Sequence, residues 1–139
     1  MNIGILYFSG NKKEKMKELA QGIAKGIEKQ GSHTVQLIDA EAERDKKLTP
    51  FQYIALGAPG SNFFGGKIAS SIPTFLQNAG IVSGKRCFAF TCKSGLRPMK
   101  TLQTIMKTME HEGMYLKVSD ILTTGAEAQA VGERLHVEH

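Results

Sequence analysis

Residues 3–8 read Ile3-Gly4-Ile5-Leu6-Tyr7-Phe8 and residues 9–13 read Ser9-Gly10-Asn11-Lys12-Lys13; beyond them Met16, Leu19, Ala20, Ile23 and Ile27 recur mostly at spacings of three and four. A short, nearly continuous apolar run is the mark of a strand covered on both faces. The later spacing makes one stripe of an amphipathic helix, and Gly31 is placed to end it. A buried strand, a polar turn and an amphipathic helix are the first half of a parallel strand–helix–strand unit.

The same alternation continues to the end of the chain. Residues 34–38 (Thr-Val-Gln-Leu-Ile) form a second strand, followed by a polar connector over 39–50 in which one short helical turn is expected near 41–47. A third strand covers 53–57, and the breaker-rich loop 58–66 leads to a helix with Ile68, Ile72, Phe75, Leu76 and Ala79 on one side. Pro73 lies inside that pattern, which predicts a late start or a bend. A fourth strand spans 86–91. After the turn 93–97, Pro98 suits the first turn of a helix striped by Met99, Leu102, Ile105, Met106 and Met109, with Gly113 closing it. A fifth strand covers about 115–122. A final short helix follows through Ala128, Val131 and Leu135.

This alternation predicts an α/β fold, a doubly wound five-stranded parallel sheet with helices on both faces. The chain of 139 residues shows no repeat, low-complexity tract or linker, so residues 1–139 are read as one domain.

Composition narrows the function classes. Hydrophobic residues make up 41% and charged residues 22%, ordinary for a soluble globular chain. No apolar run approaches the roughly 20 residues needed to cross a bilayer, and the first residues lack the pattern of a signal peptide. The net charge is +5 and the sequence pI about 9.3. The lysines are scattered over several segments, in part mixed with glutamates, and there is no Trp, so neither a basic stripe nor a base-stacking platform emerges. No nucleic acid or membrane partner is expected. Cys87 and Cys92 share one strand at an odd separation, which puts them on opposite faces and forbids a mutual disulfide. A cytoplasmic location is expected.

In an open parallel sheet, ligands sit outside the carboxyl ends of the strands. Three loops leave such ends: Ser9 to Lys13; the segment holding Pro59, Gly60, Ser61, Phe63, Phe64 and Gly65; and that holding Thr91, Cys92, Lys93, Ser94 and Gly95. Each has glycine beside hydroxyl or amide side chains, suited to close backbone approach and to anions. His33, His111, His136 and His139 do not pair with Cys or carboxylates at ligand spacing, so no metal site is expected. Gly57-Ala58-Pro59-Gly60-Ser61 is not a nucleophile elbow, and no catalytic acid–base pair stands out.

The run Ile5-Leu6-Tyr7-Phe8-Ser9-Gly10 with Glu14 to Ala20, the run Ile54-Ala55-Leu56-Gly57-Ala58-Pro59 with its Phe-Gly-rich loop, and Gly84 to Phe90 together resemble the flavodoxin family, of the short-chain type, up to about Thr124. The resemblance implies strand order 2-1-3-4-5, flavin mononucleotide (FMN) as cofactor, and electron transfer with redox partner proteins. By the same resemblance, Ser9, Gly10, Asn11, Lys12 and Lys13 would meet the phosphate. Gly60, Phe63 and Phe64 would flank the flavin ring, with Lys93, Ser94 and Gly95 opposite. The first loop departs from the family pattern of several hydroxyls, being one residue short, and Lys12 and Lys13 do not reproduce a cage of hydroxyl and amide donors. Two readings follow: an FMN-binding flavoprotein for electron transport or a small oxidoreductase module, and a protein of the same fold that has lost FMN and acts as a binding or regulatory module.

Overall fold

The computed structural model describes residues 1–60, 65–93 and 97–138, with backbone alone for 65–70. Its elements are β1 (Asn2–Tyr7), α1 (Lys13–Glu28), β2 (Thr34–Asp39), β3 (Tyr53–Gly57), α2 (Gly65–Gln77), β4 (Arg86–Cys92), α3 (Pro98–His111), β5 (Tyr115–Leu122) and α4 (Gly125–Arg134). The strands are all parallel and pair in the order β2-β1-β3-β4-β5. β3 is buried along its whole length and β1 and β4 everywhere but their first residue, because helices cover both faces, whereas the edge strands β2 and β5 alternate or lie open.

The strand period of two divides the core. Leu6, Phe8, Ile38, Ile54, Leu56 and Ala89 face α2 and α3, meeting Ile72, Phe75, Leu76, Leu102, Ile105 and Met109. Ile3, Ile5, Tyr7, Tyr53, Ala55, Phe88 and Phe90 face α1 and α4, meeting Met16, Leu19, Ile23, Ala128 and Val131. Cys87 belongs to the first layer and Cys92 to the second, as their odd separation requires; neither forms a disulfide.

Helices α1 and α4 approach closely through glycines. A methyl group on Gly26 would stand 2.2 Å from the Gln129 carbonyl oxygen, and one on Gly132 would stand 2.5 Å from that of Ile23. The pair is also tied near the carboxyl edge of the sheet, where Lys15 Nζ donates to the Thr123 carbonyl and the Gly125 N–H donates to Glu18.

The connector holds one helical turn at the start of the expected stretch: the Glu43 amide donates to the Asp39 carbonyl at 2.8 Å, and Asp39 Oδ1 accepts from the Glu41 and Ala42 amides as an N-cap does. Two expectations need correction. Helix α2 does not start late: it runs from Gly65 to Gln77 with Pro73 inside it. The packing of Ile72, Phe75 and Leu76 holds it together against an interior-proline cost of about 3 kcal/mol. Met99 is 56% exposed, not core, since it sits in the first turn of α3 at the rim of the sheet. Among the described residues, no helix is long and apolar enough to cross a membrane.

Candidate functional site

Strand register sets the site. Asp39 of β2 lies beside Tyr7 of β1, Tyr7 beside Gly57 of β3, Gly57 beside Phe90 of β4, and Phe90 beside Asp120 of β5. That row runs along the carboxyl edge, so the segments after it emerge side by side. The described beginnings of the three loops singled out in the sequence therefore share one edge.

In the first loop the Phe8 amide still bonds to the Gly57 carbonyl, after which the chain leaves the sheet. Gly10 takes φ 54, a left-handed conformation that glycine adopts without strain. The Lys12 amide closes the turn on the Ser9 carbonyl, and Lys12 caps α1 without a side-chain hydrogen bond. Ser9 is only 3% exposed, and its hydroxyl has no hydrogen-bond partner among the described residues. Asn11 and Lys13 are exposed and Lys12 half-buried.

The amides of Ser9 and Gly10 both donate to one oxygen, Glu41 Oε1, at 3.0 and 2.9 Å. Successive amides converging on one point form a concave anion cradle. Glu41 reaches it because β2 is the neighbour of β1. Two residues beyond the Tyr7–Asp39 pair, one strand delivers Ser9 and the other delivers Glu41. The Asp39 carboxylate fixes the turn by accepting from the amides of Glu41 and Ala42. The flank is acidic: burial first, then Asp39 and Glu43, raise the Tyr7 phenol above its ordinary value. Glu41 and Asp39 were not among the site residues expected from sequence. The available signal was the strand order, which places the end of β2 against the first loop.

In the second loop Pro59 and Gly60 are buried and Gly65 opens α2, while Ser61, Phe63 and Phe64 lie outside the described residues. The third loop is bound to the second: the buried Thr91 hydroxyl donates to the Ala58 carbonyl at 2.6 Å. Cys92 is 1% exposed, and Lys93, exposed, donates its amide to the Leu122 carbonyl. Ser94 and Gly95 lie outside the described residues. Arg97 caps α3 with φ 56, a left-handed backbone uncommon away from glycine. A separate groove of about 210 Å³ lies elsewhere, against Asn2 and Thr34 at the starts of β1 and β2. Among the described residues, no group of three or more His, Cys, Asp or Glu side chains could hold a metal ion.

No family model and no curated protein matches this chain. Solved structures do. A flavodoxin from the domain Archaea superposes with a TM-score of 0.64 at 21% identity, over 99% of this chain and 95% of that one. Oxidised Flavodoxin 1 from Bacillus cereus gives 0.68 at 14% identity, over 95% of each chain. The fold is flavodoxin-like. Two-electron reduced Megasphaera elsdenii flavodoxin agrees, at 0.63 and 19% identity over 94% of this chain and 96% of its own. The flavodoxin-like fold carries the strand order expected from the sequence.

The described part of the site fits an anionic head group such as that of FMN. Two adjacent amides already hold a carboxylate, and the buried Ser9 hydroxyl has no partner among the described residues. With only one hydroxyl side chain in residues 9–13, that cradle is sparser than the hydroxyl-rich pattern the sequence resemblance implies.

Proposed function

We propose that this chain is a single-domain, FMN-binding electron-transfer protein acting in the cytoplasm with redox partner proteins. The observation that carries this reading is the amide pair of Ser9 and Gly10, converging on an anion beside a buried, unpartnered hydroxyl at the carboxyl edge of a flavodoxin-like sheet. The flavin would supply the electron chemistry, and the protein would supply binding, orientation and electrostatics. Ser9, Gly10, Asn11, Lys12 and Lys13 receive the phosphate. Pro59, Gly60, Ser61, Phe63, Phe64 and Gly65 border one side of the ring. Thr91, Cys92, Lys93, Ser94 and Gly95 border the other, with the Thr91–Ala58 bond holding the two loops together. The basic charge of +5 favours acidic partner surfaces.

The purified protein is expected to quench the fluorescence of added FMN at micromolar concentrations and to bring the flavin's visible absorption with it through gel filtration. A colourless protein that leaves FMN fluorescence unchanged refutes this reading. A second reading, a flavodoxin-fold module that works without the cofactor, draws support from one observation: the chain's own Glu41 takes the two amides.

A further inference from the structure

We propose that Glu41 sets the head-group preference of this site, its tethered carboxylate competing with a ligand phosphate for the amides of Ser9 and Gly10. The inference rests on the flavin-binding reading for its ligand and on the first loop for its chemistry. Both amides point their hydrogens at the same Glu41 oxygen, so a phosphate oxygen entering there must first displace it. The two anions cannot share the cradle, because like charges at contact repel.

The internal contact is built by the fold. Asp39 pins the turn that presents Glu41, through its bonds to the amides of Glu41 and Ala42. Glu41 is nonetheless exposed, so its side chain has open solvent to swing into when a stronger ligand arrives. It is also an imperfect occupant, since it leaves the buried Ser9 hydroxyl without a partner among the described residues. A phosphate has three terminal oxygens and can take both amides and that hydroxyl together. A neutral head group behaves differently. The terminal hydroxyl of a flavin without phosphate, such as riboflavin, donates a hydrogen bond to the Glu41 carboxylate where it stands. The native chain therefore discriminates weakly between FMN and riboflavin, and removing the carboxylate restores a preference for the phosphate.

The test uses the full chain and its Glu41→Ala and Glu41→Gln variants, with Asp45→Ala as control; Asp45 is an exposed acid of the same connector whose loss changes the net charge equally. Flavin fluorescence quenching gives the affinities for FMN and riboflavin. If the carboxylate keeps the cradle open about a tenth of the time, Glu41→Ala binds FMN about tenfold more tightly, with riboflavin unchanged or weaker. Glu41→Gln, which keeps an acceptor and loses the charge, falls between, and Asp45→Ala leaves the ratio as it was. An FMN-to-riboflavin ratio equal in native and Glu41→Ala proteins overturns the proposal, as does an equal gain in Asp45→Ala.

A second arm uses no flavin. Inorganic phosphate is titrated while the amide resonances of Ser9 and Gly10 are followed. Half-saturation about tenfold lower in Glu41→Ala is expected, and equal half-saturation overturns the competition. Flavin bound by none of the proteins, with the phosphate difference present, sinks the flavin reading and leaves Glu41's competition standing.

Discussion

Replacing Gly26 by alanine tests the close contact between α1 and α4. The added carbon would lie 2.2 Å from the Gln129 carbonyl oxygen, 2.6 Å from the Glu133 nitrogen and 2.8 Å from the Gly132 carbonyl carbon. All three are backbone atoms of α4, so no side chain can rotate aside. Ordinary contact needs about 3.5 Å, so the two helices must part by roughly 1 Å. That separation loosens Leu19, Ile23 and Ile27 of α1 against Ala128 and Val131 of α4. Overpacking costs about 1–3 kcal/mol, with rigid backbone favouring the upper end. Alanine recovers about 1 kcal/mol of helix propensity over glycine. The net loss is about 2 kcal/mol, read as a drop in the urea midpoint at unchanged slope and about 6 °C in Tm. Gly22→Ala meets the Gly125 carbonyl oxygen at 2.5 Å across the same gap. Once the helices have parted for one methyl, the second costs less, so the double variant should lose less than the sum. A Gly26→Ala protein as stable as the native chain would refute the close-packed crossing.

Two further outcomes follow from buried polar groups. Burial first, then the Glu110 carboxylate, raise the Cys87 thiol from 9.0 to about 12. The folded protein thus keeps a proton that the unfolded chain releases above pH 9, and the associated stability is full below pH 9 and lost between 9 and 12, by about 2 kcal/mol at pH 10.5. Urea midpoints of Cys87→Ala should therefore fall less steeply from pH 8.5 to 10.5 than those of the native chain, where the raised Tyr53 phenol still contributes; equal slopes would contradict the assignment. Thr91→Val removes the bond to the buried Ala58 carbonyl, at about 1–3 kcal/mol. Thr91→Ser should keep most of that stability in the same denaturation assay, and a valine variant as stable as the serine one would show the bond to be idle.

Much of the architecture is legible in residue order because it rests on local periodicity. The strands read at 53–57 and about 115–122 match β3 and β5, and the split of Cys87 and Cys92 follows from strand alternation. The helix stripe at 16–27 matches the buried face of α1. Where the reading strayed, a tertiary contact overrode a local rule. Pro73 is carried inside α2 by the packing around it, and Met99 falls at the rim of the sheet.

The alternating elements and the parallel sheet are legible in residue order alone, because each depends on the spacing of apolar residues and breakers a few positions apart. What occupies the first loop depends on a pair of hydrogen bonds between Ser9, Gly10 and a carboxylate 32 and 31 positions away. Only the tertiary structure decided that. Glu41 in sequence is one acid in a polar connector; it reaches the cradle because β2 pairs in parallel with β1 and both chains leave the sheet at the same height.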